Sequence, residues 1–334
     1  MAITATSEAP ARPIAPARPE TARNTLLGDY AELFKLRISI MVIVTAGAGF
    51  YLGSLRSGIS PFQPQLFKAL AGIAIVTCGA SALNQALERS TDRVMRRTRN
   101  RPMAAGRISL AHGLMVGFAA TFLGSLYLAD VTNPLTGMLT LLTAVGYVAI
   151  YTPLKLVTTA NTLIGAFPGA LPPLIGWTAA RGVIEWPGVA LFAILFVWQF
   201  PHFMAIGWMY RADYAAAGIR LTPTLPDTRY AARSTVVQAL FFAVLMLPVS
   251  LWPFALGIAG RTYAVAAAIL SLGYLWYTIR FARIGFGQNA GGGDCDSESP
   301  ALRLPARDLL RASIIFLPLL LAAMMLDASG RLLF

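Results

Sequence analysis

Apolar residues in this chain gather into long runs separated by short polar stretches. Nine such runs are legible, at about 33–54, 66–87, 111–129, 135–151, 161–180, 188–210, 235–256, 262–281 and 309–327. Their length, near twenty residues, is what a helix needs to cross the ~30 Å hydrocarbon core of a bilayer. Inside a bilayer every backbone polar group must be satisfied within the segment, which a helix does unaided. The pattern therefore predicts an all-α, polytopic membrane protein of about nine transmembrane helices. Two long, charged connections, after the second and sixth runs, lie four helices apart. That placement suggests two helical halves facing one central cavity.

Nine is odd, so the two ends of the chain fall on opposite sides. Basic residues decide which side is which. Twenty-two of the 27 Lys and Arg residues fall in the N-terminal stretch and first-span edge, in the connections after the second, fourth and sixth runs, or around the connection from the eighth to the ninth, including Arg89, Arg93, Arg96, Arg97, Arg99, Arg101 and Arg107 after the second. Only Arg56, Lys68, Arg181, Arg261 and Arg331 fall on the other face. The asymmetry predicts a cytoplasmic N-terminus and a C-terminus outside.

Composition agrees. The 334 residues are 56% hydrophobic and only 13% charged, with mean hydropathy +0.62, where a soluble domain is about a quarter charged. The net charge of +12 sits in loops beside the membrane, so anionic lipid head groups and a phosphorylated substrate suit it as partners better than nucleic acid. Cys78 lies in an apolar run and Cys295 in a loop, which argues against a disulfide framework.

Residues 1–30 are rich in Ala, Pro, Thr and Arg without an apolar core, and read as a disordered cytoplasmic tail rather than a signal peptide. Glu8, Glu20, Asp29 and four prolines speak against a mitochondrial presequence. Residues 31–334 form one transmembrane domain. Within it, 285–306 is a Gly-rich, flexible loop whose Asp294, Asp296 and Glu298 are better read as solvated than as a metal site.

The stretch NQALERSTDRVMRRTRNRP, residues 84–102, carries the first chemistry. Asn84, Glu88 and Asp92 recur every fourth residue, so on a helix each is rotated only ~40° from the last and all three share a face. Two carboxylates and an amide are a hard-oxygen set that suits Mg²⁺, which prefers few protein ligands plus phosphate oxygens. Arg97, Arg101 and their neighbours follow at once, with charge to hold a polyanion. A charged helix end leaving a bilayer obeys the positive-inside rule equally well, and spacing alone leaves both readings open.

Further polar residues lie at membrane depth, where their cost points to function or packing. YTPLK, Tyr151–Lys155, closes the fourth run, and Asn161 opens the fifth. Lys155 on the inner face fits either a phosphate contact or snorkelling to the interface. The sixth run ends in WQFPHF, where Pro201 should open the helical ladder beside Gln199 and His202. His202 fits a cavity-facing imidazole or a hydrogen-bonded packing residue. Asp213 supplies a second carboxylate just beyond that run.

Together these blocks resemble the protohaem IX farnesyltransferases (haem O synthases) among the UbiA-type membrane prenyltransferases. The likeness is carried by N-x-x-x-E-x-x-x-D-x-x-M-x-R-T-x-x-R-P from Asn84 to Pro102, by YTPLK with NTLIGAFPGALPPLIGW, and by WQFPHF with DYxxAG at Asp213–Gly218. The first block alone indicates an isoprenyl-diphosphate-dependent transferase; the others point to the haem branch. The resemblance implies farnesyl transfer from farnesyl diphosphate to a vinyl group of haem B, with addition of water, giving haem O and diphosphate. It implies Mg²⁺ held by Asn84, Glu88 and Asp92, diphosphate contacts from Arg97, Arg101, Lys155 and Arg37, and substrate or haem contacts from His202, Asp213, Tyr151 and Asn161. It further implies a multi-pass protein of the bacterial inner membrane, with its active site on the cytoplasmic side. Whether a haem A synthase or another oxidase-assembly protein receives the product stays open. The chain departs from relatives with aromatic acceptors in offering Asp213 without a second carboxylate at DxxxD spacing. A prenyltransferase for an aromatic or quinone precursor is the alternative reading. A transporter would carry charges deep in several spans, whereas here they crowd one face.

Overall fold

A computed structural model describes residues 25–286 and 300–330. Among the described residues, nine helices are long and apolar enough to cross a membrane: Leu36–Arg56, Pro64–Val94, Leu110–Val131, Pro134–Leu154, Asn161–Arg181, Trp186–Met209, Thr228–Ala255, Arg261–Arg283 and Arg303–Gly330. These are the nine spans expected from the hydropathy pattern, and we number them in that order. Residues 1–24 and the segment 287–299, with Cys295, Asp294, Asp296 and Glu298, lie outside the described residues.

Several boundaries differ from expectation. The second span continues to Val94, so the whole Asn84–Asp92 face stays helical. The expected tail gives way to a helix at Leu26–Leu33, whose first turn is capped by Thr25 Oγ1 accepting from the Gly28 amide at 3.1 Å. The last helix begins at Pro300, inside the stretch expected to be loop. The fourth span ends in a π-helical turn, Gly146–Tyr151, before Thr152–Leu154. Such insertions recur at functional sites because they re-aim side chains without ending the helix.

The spans pack as two groups. In the first, spans two and three run side by side and span one crosses span five. That crossing is a backbone contact: a Cβ built on Gly49 would lie 1.9 Å from the Pro173 carbonyl oxygen, and one on Gly176 would lie 1.8 Å from that of Ala46. In lipid, where helices gain no hydrophobic drive by associating, small residues that let backbones touch supply the packing. Spans six to nine form the second group around Trp177, Ile194, Met204, Tyr263, Tyr274 and Phe281.

Pro201 lies within a continuous sixth span. Gln199 donates to the carbonyls of Ala166 (2.8 Å) and Leu195 (3.2 Å), and the Tyr274 hydroxyl donates to the Trp198 carbonyl at 2.9 Å. Polar side chains thus supply hydrogen bonds around the turn that the proline interrupts. The basic end of the bundle is laced together by its loops. Arg107 pairs with Asp29 at 2.9 Å, Tyr30 meets His112 Nε2 at 2.6 Å, and the Arg220 amide donates to the Lys155 carbonyl at 2.7 Å.

Candidate functional site

The last three turns of the second span present Asn84, Glu88 and Asp92 on one face, as their spacing predicts. Asn84 is fully buried; its Nδ2 donates to Thr152 Oγ1 at 2.9 Å and its Oδ1 accepts from the Lys35 ammonium. Lys155 Nζ donates to Glu88 Oε1 at 2.5 Å. Arg101 grips Asp92 with one nitrogen on both carboxylate oxygens, at 2.9 and 2.8 Å, and reaches Glu88 at 3.6 Å. Three cations from three separate elements therefore converge on three oxygen donors from one helix.

The electrostatics follow from this enclosure. Burial pulls the Lys35 ammonium down to about 7, against the upward pull of Glu88. Burial also works against Lys155, but the surrounding Tyr151, Glu88 and Tyr147 outweigh it and hold its pKa above the ordinary lysine value. Arg101 likewise rises, despite burial, because Asp92 and Glu88 favour its charge. Lys35 is also the one non-glycine residue with positive φ, at 48°, among the described residues. Its left-handed backbone separates the helix Leu26–Leu33 from the first span, and strain of this kind is kept where function fixes the geometry.

Aromatic groups line the same place. Tyr147 and Tyr151, at either end of the π-helical insertion, stack with centroids 5.8 Å apart. The Tyr147 hydroxyl is 3.4 Å from Lys35 Nζ, and Lys155 Nζ sits 4.3 Å from the Tyr151 ring centre. Gly165 makes room for Tyr151: a Cβ there would come within 2.4 Å of the ring. An apolar cavity of about 650 Å³ runs from Glu88 and Lys155 between spans two, three and four, past Leu114, Phe118, Val148 and Phe122. Phe118 and Phe122 are 63% and 55% exposed on the lipid-facing surface, so this groove is open sideways toward the membrane.

The other predicted residues are placed less centrally. Arg97, exposed, donates to the Tyr214 hydroxyl at 3.3 Å and lies 5.4 Å from the Tyr210 ring centre, bridging the loops after spans two and six. Tyr214 titrates above the ordinary phenol range, through burial and against the opposing pull of Arg97. Arg37 is exposed on the first span, and the basic residue that enters the cluster from that end is Lys35. Asp213 is half-buried in the short helix Arg211–Ala216, and no described ion pair joins it to the cluster. Asn161, expected at the substrate, donates from its amide nitrogen to the carbonyls of Thr158 and Arg220, both at 2.5 Å, pinning two loops together. His202 stacks on Trp198 at 4.9 Å and shares a hydrogen bond of 2.7 Å between Nδ1 and Ser313 Oγ of the ninth span.

The donor set fits a divalent cation of the magnesium type, being all oxygen and carrying two negative charges. It is not a closed cage: among the described residues no group of three or more His, Cys, Asp or Glu is placed to hold a metal. Such a set leaves most of a metal's coordination to water and to the phosphate oxygens of a ligand.

Comparison with known proteins finds relatives along most of the chain. The UbiA prenyltransferase family matches residues 41–290. The chain is 45% identical over 317 residues to a Protoheme IX farnesyltransferase of Koribacter versatilis, spanning 95% of this chain and 97% of that protein. It is 37% identical to the protein of that name from Solibacter usitatus, over 90% of this chain and 99% of the relative. Among solved structures it resembles a digeranylgeranylglyceryl phosphate synthase, with TM-score 0.70 at 16% identity over 90% of this chain and 98% of the other. It also resembles a UbiA homologue of Archaeoglobus fulgidus bound to GPP and Mg²⁺, with TM-score 0.52 at 17% identity over 89% of this chain and 99% of the other. At those identities the two structures speak for the fold alone.

Proposed function

Since the chain belongs to the UbiA prenyltransferase family, and within it to the protoheme IX farnesyltransferases, we propose that it transfers the farnesyl group of farnesyl diphosphate to a vinyl group of haem B at the Asn84–Asp92 cluster. The observation that carries this reading is the convergence of Lys35, Arg101 and Lys155 on Asn84, Glu88 and Asp92 at the head of an apolar groove open to lipid. A charged pole joined to an apolar trough matches an amphiphile with a diphosphate head and a hydrocarbon tail.

A vinyl group is a weak nucleophile, so the allylic C–O bond breaks largely before the new bond forms, and its electron pair leaves with the diphosphate. Charge grows on the departing oxygens, and groups already aimed at them lower the barrier most. Lys155 and Arg101 hold that role by charge-assisted hydrogen bonds, with Arg97 at the rim. When bound, Mg²⁺ supplies Lewis-acid neutralisation of the same oxygens, held by Asn84, Glu88 and Asp92. Tyr147 and Tyr151 present ring faces to the allylic cation, and the apolar groove keeps water from quenching it early. The vinyl π electrons then bond to the farnesyl C1. The positive charge passes to the carbon beside the porphyrin, where water adds and loses a proton to give the hydroxyethylfarnesyl chain of haem O. His202, with its Nδ1 engaged by Ser313, is assigned to haem through Nε2. The site is assigned to the cytoplasmic side of a bacterial inner membrane, where the basic loops gather.

Membranes containing the chain, supplied with farnesyl diphosphate, haem B and Mg²⁺, are expected to give haem with the mass of one farnesyl group plus one water. Asp92→Asn should lower turnover at least a hundredfold while the protein stays in the membrane. Activity above about a tenth of wild type, ~1.4 kcal/mol in transition-state free energy, would remove the metal role. Prenylation of a hydroxybenzoate with haem untouched would move the assignment to an aromatic acceptor.

A further inference from the structure

Every oxygen donor of the cluster already has a cation. Glu88 holds Lys155 and, at longer range, Arg101; Asp92 holds Arg101; the Asn84 oxygen holds Lys35. Two carboxylates and three basic groups leave the site with at most one positive charge in surplus. A lone dication would have to displace ammonium or guanidinium groups and then sit among them, raising like charge in an enclosed, poorly hydrated place where repulsion is little screened. A diphosphate arriving with the metal changes the balance. Its three negative charges offset the dication and the surplus together, and its oxygens give Lys35, Lys155 and Arg101 new acceptors of the kind they hold now. The absence of a closed carboxylate cage among the described residues points the same way.

We propose that Lys35 and Lys155 are resident counter-cations of the oxygen cluster, which keep a divalent metal out until diphosphate comes with it and then transfer to the phosphate oxygens. This rests on reading the cluster as a metal–diphosphate site, and it adds a role for Lys35, which spacing did not single out. The left-handed backbone at Lys35 fits the role, since it turns this side chain inward from the break between two helices. The Tyr147 hydroxyl at 3.4 Å and the Tyr151 ring at 4.3 Å give the two ammonium groups further contacts beside the carboxylates. A metal and an anion that bind as a pair are thermodynamically coupled, and each raises the affinity of the other by the same factor.

The test is a Mn²⁺ titration of the purified full chain in detergent, followed by electron paramagnetic resonance, with and without inorganic diphosphate. Wild type is expected to bind Mn²⁺ at least about tenfold more tightly with diphosphate present, within the usual range of such coupling. Lys155→Gln and, separately, Lys35→Gln should bind Mn²⁺ alone at least about tenfold more tightly than wild type, and should show a smaller gain from diphosphate. Wild type binding Mn²⁺ equally well with and without diphosphate would overturn the proposal while leaving the metal site standing. Folded lysine variants that bind the metal alone no better than wild type would also overturn it. No binding under either condition would remove the metal site itself, and the proposal with it.

Discussion

At the scale of single residues the oxygen cluster and His202 lie in different halves of the bundle. Lys35, Asn84, Glu88, Asp92, Arg101 and Lys155 belong to the first, whereas His202 lies on the sixth span against Ser313 of the ninth. By helical rise, Asn84 lies about 15 Å and His202 about 10 Å below the basic end of their spans, so both stand at comparable depth. With Ser313 Oγ donating to the Leu310 carbonyl at 2.6 Å, it can accept from His202 Nδ1, the tautomer in which Nε2 keeps its lone pair. If that lone pair meets haem, His202→Ala weakens haem binding about tenfold or more, ~1.4 kcal/mol, and leaves diphosphate binding nearly unchanged. Arg97→Ala should do the reverse, because its guanidinium fork suits phosphate oxygens. Separate binding measurements for the two ligands decide this, and a histidine variant that loses diphosphate while keeping haem would reverse the division. The Asn84–Asp92 face was legible because period four on a helix is a local property. Lys35 was not: its partner Asn84 is 49 residues away, and the left-handed turn at Lys35 breaks the helical register by which Arg37 could be told from it. The contact of Asn161 was not legible for a related reason, since its partner Arg220 arrives from a loop 59 residues on.

At the scale of elements, hydrophobic run length located all nine spans, because a bilayer imposes one length on every crossing. What run length cannot give is the rotation of each helix, which is fixed by contacts with other helices. Glycines show this well. Gly176 is pressed on the Ala46 carbonyl, while nothing lies within 4 Å of a Cβ at Gly273 in the eighth span. Both read in sequence as helical glycines. Gly176→Leu should therefore force spans one and five apart, costing upwards of the roughly 1–3 kcal/mol typical of overpacking, and lower the thermal midpoint in detergent. Gly273→Ala should leave that midpoint unchanged or raise it, since replacing an unstrained helical glycine gains up to about 1 kcal/mol. Equal effects at both positions would mean that the close approach of the first and fifth spans does not hold this bundle together.

At the scale of the whole molecule, the site lies at the end of the bundle where the basic loops meet, and the orientation of the chain decides which compartment it faces. Twenty-two basic residues on one side against five on the other is a large bias by the measure that governs insertion. The same loops carry the guanidinium and ammonium groups of the cluster, so in the proposed reading the charge that orients the chain would also serve the ligand. A diphosphate cannot cross the hydrocarbon core unaided, so the proposed substrate, if made in the cytosol, would require this end to face inward. Single cysteines in a chain lacking Cys78 and Cys295 test the point with a membrane-impermeant maleimide on intact cells. Ser60→Cys, between the first and second spans, should label without lysis. Arg96→Cys, in the loop after the second span, should label only once the membrane is opened. The opposite pattern would put the cluster outside, and the diphosphate would then have to reach it from the other compartment.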